Sequence, residues 1–185
     1  MRLFIALELS EEQRRELTMF QARFKNHFTG VRWIKPEGMH LTLKFVGETD
    51  QAGVECISDV MDNAVQSEQP FNTVYSGRGV FPGPANARIL WIGLSKGTEI
   101  VTKIAERLDS SLSGQGFKKE KQQFKPHLTI GRIRQPLESK LIQEYLTSGD
   151  DFQSSPAIVN SLTLFNSDLT QHGAVYNVVY RKYFS

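Results

Sequence analysis

The sequence predicts an α+β fold with two similar lobes, and three observations support this prediction. Strand-like apolar runs alternate with amphipathic helical segments along the whole chain. These segments follow the same order in both halves, and a His-Leu-Thr segment stands at the matching place in each. A turn-rich segment, Phe-Pro-Gly-Pro-Ala-Asn at 81–86, separates the halves. We therefore expect two lobes related by a pseudo-two-fold axis, with helices on the outer faces.

The first half opens with a strand-like run that ends at Ser10. Ser10 is followed three residues later by Gln13, the pattern of a capping box, so a helix should begin directly after Ser10. Its apolar positions include Leu17 and Phe20, which share one helical face. The other predicted elements of this half are a strand that begins at His40, a helix over 51–67 and a strand over 71–75.

The second half repeats this order at a nearly constant distance. Ser95 lies 85 residues after Ser10, and His127 lies 87 residues after His40. The predicted elements are a strand over 89–95, a helix over 100–112, a strand that begins at His127, a helix over 137–147 and strands over 158–165 and 174–183. We interpret residues 1–185 as one domain built by duplication. The first lobe would span about 1–86 and the second about 87–185, and exchange of strands between the lobes stays open.

The composition excludes several classes of protein. The net charge is only +2, from 22 basic and 20 acidic residues, so charge alone does not indicate nucleic-acid binding. Cys56 is the single cysteine, which rules out an intramolecular disulfide and a cysteine-rich zinc site. The N-terminal apolar run is short and turns acidic at Glu8, unlike a signal peptide, and no run is long enough to span a membrane. A soluble cytoplasmic protein is expected.

The two His-Leu-Thr segments carry the chemistry. Side chains alternate between the faces of a strand, so His40 and Thr42 share one face, and His127 and Thr129 share another. A pseudo-two-fold axis would direct both pairs into one groove. One imidazole could then deprotonate an attacking oxygen while the other protonates the leaving oxygen of a phosphate. The threonine hydroxyls would donate to the non-bridging oxygens, so no metal is needed.

These motifs resemble those of a known family. His40-Leu-Thr-Leu-Lys-Phe-Val-Gly47 and His127-Leu-Thr-Ile-Gly-Arg132 are similar to the paired His-x-Thr motifs of the 2H phosphoesterases. Within them, the chain resembles the bacterial and archaeal RNA 2′,3′-cyclic phosphodiesterases, also called 2′-5′ RNA ligases. The resemblance extends to the opening run 2–7, to Phe81-Pro82 and Leu90 to Gly93, and to Leu164 to Ser167 with Gly173 and Tyr176.

The resemblance implies a fold and a function. The fold would be bilobal, with antiparallel sheets that line a central groove. The activity would be hydrolysis of a terminal 2′,3′-cyclic phosphate to a 2′-phosphate, with a weak, reversible joining of RNA ends through 2′-5′ linkages. The partner would be RNA with such ends, tRNA-derived ends among the candidates. No cofactor, no metal, no membrane and no obligate protein partner is implied.

The resemblance also assigns roles to individual residues. His40 and His127 match the catalytic pair, with His40 as proton donor and His127 as proton acceptor; the reverse assignment stays open. Thr42 and Thr129 match the phosphate-binding pair, and Arg132 matches an arginine near the phosphate. Strict alternation would place Arg132 on the opposite face of its strand, unless Gly131 hosts a bulge.

Three further residues are candidate RNA contacts. Lys44 lies on the His40 face by alternation, while Phe124 and Lys125 precede the second motif in a lysine-rich segment. Ordinary solvated positions explain them equally well. The alternative functions are the same chemistry on a small cyclic nucleotide or an oligonucleotide linkage, and an RNA-binding module without turnover. A zinc hydrolase is disfavoured, because no third ligand stands at ligand spacing beside either histidine.

Overall fold

The computed structural model describes residues 1–149, 151–171 and 173–185. Within these residues the chain forms nine strands and four α-helices. The strands are β1 (Arg2–Glu8), β2 (Val31–Trp33), β3 (His40–Glu48), β4 (Phe71–Phe81), β5 (Ile89–Lys96), β6 (His127–Ile133), β7 (Ala157–Val159), β8 (Ser161–Thr170) and β9 (Gly173–Tyr183). The helices are α1 (Glu11–Lys25), α2 (Gln51–Ala64), α3 (Thr98–Gly114) and α4 (Ser139–Thr147).

The strands form two antiparallel sheets, which confirms the predicted α+β fold with two lobes. The first sheet has the order β3-β1-β8-β9, and the second has the order β2-β6-β5-β4-β7. Each motif strand therefore belongs to a different sheet, β3 to the first and β6 to the second. Each sheet also combines strands from both halves of the sequence.

Each sheet is also covered by one helix from each half of the sequence. On the first sheet, Lys44 of β3 donates to Asp109 of α3 at 2.7 Å, and α2 packs against α3. On the second sheet, the Gln21 side chain of α1 donates to the carbonyl of Ile130 in β6 at 2.8 Å. The Tyr145 hydroxyl of α4 donates to the carbonyl of Trp91 in β5 at 2.7 Å. The first sheet is thus covered by α2 and α3, and the second by α1 and α4.

Local sequence signals account for the helix starts. The predicted capping box is present: the Ser10 side chain accepts from the Gln13 backbone, and the Gln13 side chain accepts from the Ser10 backbone. Asp50 caps α2 by accepting from the Gly53 backbone at 2.9 Å. The strand predicted over 71–75 continues to Phe81, because β4 pairs with β5 as far as Phe81 opposite Ile89.

The apolar side chains form two clusters on opposite faces of the first sheet. The main core lies between the sheets and their helices and draws on both halves of the chain. A small cluster of Phe4, Ala6 and Phe165, with Tyr176 packed against it, lies on the other face. That second face carries His40, whose ring contacts Phe4 and Tyr176. Among the described residues, no helix is both long and apolar enough to cross a membrane.

Candidate active site

His40 lies at the start of β3, in an aromatic environment on the groove face of the first sheet. Its ring centroid is 4.7 Å from that of Phe4 and 4.9 Å from that of Tyr176, which meets it edge-on. Phe165 stacks at 6.1 Å. These rings come from three other segments of the chain, so the imidazole is held on several sides by rigid groups.

Burial is the main influence on the pKa of His40, and it lowers this pKa because a buried imidazolium loses hydration. A hydrogen bond to the Gly38 backbone raises the pKa, whereas the positive charges of Arg132 and Arg14 lower it. The net result is a pKa of about 4, against an ordinary value of 6.5. His40 is therefore neutral at pH 7 in the free protein.

His127 has a closely similar setting at the start of β6. Its Nδ1 lies 2.6 Å from the carbonyl oxygen of Lys125. A carbonyl can only accept, so Nδ1 carries the proton and Nε2 of the neutral ring is left free to accept one. Phe81 meets the ring edge-on at 4.9 Å. Burial lowers the pKa of His127, and the hydrogen bond to Lys125 partly opposes this.

The two histidines thus share a local geometry. Each hydrogen-bonds to the backbone two residues earlier, His40 to Gly38 and His127 to Lys125. Each is followed two residues later by a half-buried threonine, Thr42 or Thr129. Among the described residues, neither threonine hydroxyl has a hydrogen-bond partner within the protein, so both are available to a ligand.

A β-bulge interrupts both motif strands at the same place, three residues after the histidine. In β3, Thr42 pairs with Ala6 and Lys44 with Ile5, so Leu43 is the extra residue. In β6, Thr129 pairs with Trp91 and Gly131 with Leu90, so Ile130 is extra. Each extra residue reverses the alternation of the side chains that follow it.

The bulge in β6 explains the position of Arg132. Strict alternation would place Arg132 on the buried face with Leu128 and Ile130, but Arg132 is exposed. The charge of Arg132 also lowers the pKa of His40, which lies on the other sheet. The guanidinium group therefore lies on the groove side, within electrostatic reach of the first motif.

The bulge in β3 turns Lys44 away from the His40 face, so the expectation that Lys44 lies on that face is wrong. Its side chain is only 1% exposed. Lys44 donates to Asp109 at 2.7 Å and to the carbonyl of Lys118 at 2.6 Å, and Glu120 lies 3.6 Å away. Lys44 thus binds α3 and the following loop on the face away from the groove, and it cannot contact RNA there.

The other two candidate RNA contacts lie in the loop before β6. Phe124 is half-buried and packs against the main core, so its ring is engaged with the protein. The side chain of Lys125 is exposed, while its carbonyl orients His127.

The two sheets also approach each other where Arg32 of β2, in the second sheet, lies against Gly173 of β9, in the first. A Cβ atom on Gly173 would lie 1.7 Å from Nη2 of Arg32, so the guanidinium lies directly against this glycine. Arg32 is also the cross-strand partner of Arg132. Two arginines of the second sheet therefore face the first sheet.

Sequence reasoning missed several side chains around the histidines, namely Phe4, Phe81, Tyr176 and Arg14. Phe4, Phe81 and Tyr176 lie in segments that contributed to the family resemblance, but no spacing rule connects these segments with His40 or His127. The described residues contain no group of three or more His, Cys, Asp or Glu side chains that could hold a metal ion.

The family described as LigT-like phosphoesterases matches the chain twice, over residues 7–91 and 92–176. The two matches together cover nearly the whole chain, and each contains one His-x-Thr motif.

Proteins similar to this chain include archaeal and bacterial ones. The RNA 2′,3′-cyclic phosphodiesterase of Methanocaldococcus jannaschii is 32% identical over 97% of this chain and 98% of that protein. The protein of the same name from Thermotoga maritima is 31% identical over 97% of this chain and 94% of its own length. The crystal structure of TT0787 from Thermus thermophilus superposes with a TM-score of 0.85 at 25% identity, and covers 100% of this chain and 98% of its own. Escherichia coli LigT complexed with 3′-AMP has the same fold, with a TM-score of 0.77 at 22% identity over 100% of this chain and 98% of its own.

Proposed function

The chain belongs to the family of LigT-like phosphoesterases, and on this premise we propose that it is an RNA 2′,3′-cyclic phosphodiesterase. The observation that carries the proposal is the matched setting of the two motifs. In each motif a histidine hydrogen-bonded to the backbone stands two residues before a threonine whose hydroxyl has no partner among the described residues, and the two motif strands belong to different sheets. The names of the relatives from Methanocaldococcus jannaschii and Thermotoga maritima support RNA as the substrate.

The proposed reaction is an in-line displacement at phosphorus. Nε2 of His127 takes a proton from a water molecule as its oxygen attacks the phosphorus. The bond from phosphorus to the 3′ oxygen breaks, and His40 gives its proton to that oxygen. The products are a 2′-phosphate and a free 3′ hydroxyl, and one proton has moved from His40 to the product while another has moved from water to His127.

The remaining groups of the site would stabilise the charge that develops on the phosphate. The hydroxyls of Thr42 and Thr129 donate to non-bridging oxygens, and the guanidinium of Arg132 supplies positive charge. The bound anion would also offset the positive field of Arg132 and Arg14 at His40. The pKa of His40 would then rise, which gives this histidine the proton that its role as donor requires.

The same displacement accounts for the proposed ligase activity. If the 5′ hydroxyl of a second RNA replaces water, His127 deprotonates that hydroxyl and the product is a 2′-5′ linkage. We propose that both reactions proceed without a metal, because the two imidazoles supply proton transfer and Arg132 with the threonines supplies charge stabilisation. The tRNA origin of the substrate and a cytoplasmic location stay predictions.

The test is product analysis with an RNA oligonucleotide that ends in a 2′,3′-cyclic phosphate, in the presence of excess EDTA. We expect a 2′-phosphate product, and a loss of about 10²–10⁴-fold in kcat for His40→Gln and for His127→Gln. His27→Gln is the matched control, because His27 is exposed and pairs with Glu144. Activity that requires an added divalent ion would reject the metal-free mechanism, and RNA binding without any turnover would favour a binding module.

A further inference from the structure

A cavity of about 430 Å³ lies beside the first motif, between α1 and the short 3-10 helix Pro36–Gly38. Its lining includes the apolar residues Pro36 and Met19, of which Met19 is 67% exposed. Arg14 and Arg15 also line it. The 3-10 helix that forms one wall ends at Gly38, whose backbone hydrogen-bonds to His40. The cavity therefore lies beside the segment that leads into His40.

Arg14 is the group in this cavity that most needs a ligand. Its Nε is buried, and it has no hydrogen-bond partner among the described residues. Of the buried side-chain atoms without a partner in those residues, it is the one that belongs to a charged group. Buried donors are normally satisfied, and Arg14 lines the cavity, so an anion bound there would supply the acceptor that its Nε lacks. Arg15 is different, because it already pairs with Glu12 at 2.6 Å.

The place of Arg14 near His40 indicates which anion would be bound. The charge of Arg14 lowers the pKa of His40, so the two side chains are within electrostatic reach of each other. Arg14 nevertheless belongs to α1, outside both His-x-Thr motifs. In an RNA chain, the next phosphate lies one nucleotide from the terminal one, and the cavity that Arg14 lines lies beside the segment that leads into His40.

We propose that this cavity binds the nucleotide on the 5′ side of the terminal cyclic phosphate, with Arg14 bound to the phosphate that joins the two nucleotides. This inference rests on the proposed function and extends it to the substrate class, because it makes the enzyme prefer an RNA end over a cyclic mononucleotide. Met19 and Pro36 form an apolar surface for the base or ribose. Glu11 and Glu37 also line the cavity, and their carboxylates can accept hydrogen bonds from ribose hydroxyls or base amino groups.

The test compares two probes that are products of the proposed reaction, adenosine 2′-phosphate and a tri-adenylate that ends in a 2′-phosphate. Their Kd values are measured for the wild-type protein, for Arg14→Met and for Lys25→Met. Lys25 is a matched control, because it is exposed in the last turn of the same helix and its replacement changes the charge equally. Met retains the aliphatic stem of Arg14, and circular dichroism checks that each variant is folded.

We expect Arg14→Met to weaken binding of the tri-adenylate by about tenfold or more, and to change binding of adenosine 2′-phosphate far less. The dependence of log Kd on log salt for the tri-adenylate should also become shallower by about 0.7, the value for one phosphate contact on a single strand. Lys25→Met should leave both probes unchanged. An equal loss for both probes, or no loss for either, would overturn the inference.

Hydrolysis of a 2′,3′-cyclic mononucleotide by wild-type protein separates this inference from the proposed function. If hydrolysis occurs but Arg14→Met binds both probes like wild type, only the inference fails. If no cyclic phosphate is hydrolysed but Arg14→Met weakens binding of the tri-adenylate and not that of adenosine 2′-phosphate, only the proposed function fails.

Discussion

At the scale of the residue, the two histidines differ in their electrostatic surroundings. Burial lowers the pKa of both, and a backbone hydrogen bond opposes this in each case. Only for His40 do two guanidinium groups, those of Arg132 and Arg14, contribute a further lowering. The free protein therefore holds two neutral imidazoles at neutral pH, and the arrival of an anion has its larger effect on His40.

We predict that Arg132→Met raises the pKa of His40. Removal of a nearby positive charge favours the protonated imidazole, so the pKa should rise above about 4, while burial keeps it below the ordinary 6.5. An NMR titration of the histidine ring protons measures this directly. His127 is the internal control, because Arg132 is not among the influences on its pKa. An unchanged pKa of His40 would contradict the placement of Arg132 on the groove side.

At the scale of the element, the strands were predictable from the sequence, but the positions of the two bulges were not. Periods of 2 and 3.6 residues are local signals, so the strands and helices were predictable, as was the shared face of each His-x-Thr pair. Leu43 looks like an ordinary apolar strand residue, and nothing in the pattern marks it as extra. Gly131 indicated a possible bulge in β6, but the extra residue is its neighbour Ile130. Alternation consequently fails after each bulge, and it placed Lys44 on the wrong face.

We predict that Gly131→Ala destabilises the bulge in β6. A Cβ atom at this position would lie 2.9 Å from Cγ1 of Val31 and 3.3 Å from Cδ1 of Leu90, so neighbouring side chains must move. A loss of about 1–3 kcal/mol in the free energy of unfolding is expected, measured by urea denaturation. Gly114→Ala is the control, because a Cβ there meets nothing within 4 Å and should be neutral or slightly stabilising.

The buried ion pair of Lys44 gives a third prediction. Asp109→Ala removes the closer carboxylate partner of the Lys44 ammonium, whose side chain is 1% exposed, and leaves only Glu120 at 3.6 Å. We expect it to lower the free energy of unfolding by about 3 kcal/mol. Lys44→Met should cost less, because the side chain of Asp109 is 19% exposed and its carboxylate can be hydrated. Equal losses in urea denaturation would contradict the asymmetry.

The same pair sets a dependence of stability on pH. Burial would raise the pKa of Asp109, but hydrogen bonds from Lys44 and the Glu120 backbone outweigh this and hold the pKa below its ordinary value of 3.8. A lowered acid pKa gives a contribution that is complete above the ordinary pKa and is lost as pH falls through the lowered one. The difference in stability between wild type and Asp109→Ala should therefore be constant at neutral pH and shrink below pH 3.8.

At the scale of the whole molecule, duplication in the sequence does not give two independent lobes. The sequence repeat predicts two similar units, but the pairing of strands is a non-local matter that no local signal specifies. In the structure, β8 and β9 complete the sheet of β1 and β3, while β2 and β4 belong to the sheet of β5 and β6. One core runs through both lobes. Since every lobe contains elements of both halves, loss of one sheet removes the support of the other.

This interleaving predicts a single unfolding transition, and the two tryptophans provide a test. Trp33 in β2 and Trp91 in β5 both lie in the second sheet, whereas Asp109 stabilises the first. We therefore expect Asp109→Ala to lower the urea midpoint of unfolding by the same amount whether unfolding is followed by tryptophan fluorescence or by far-UV circular dichroism. Glu106→Ala, at an exposed position of the same helix, should shift neither. If the fluorescence midpoint stayed at its wild-type value while the dichroism moved, the lobes would unfold separately, and the two histidines would be held by independent units.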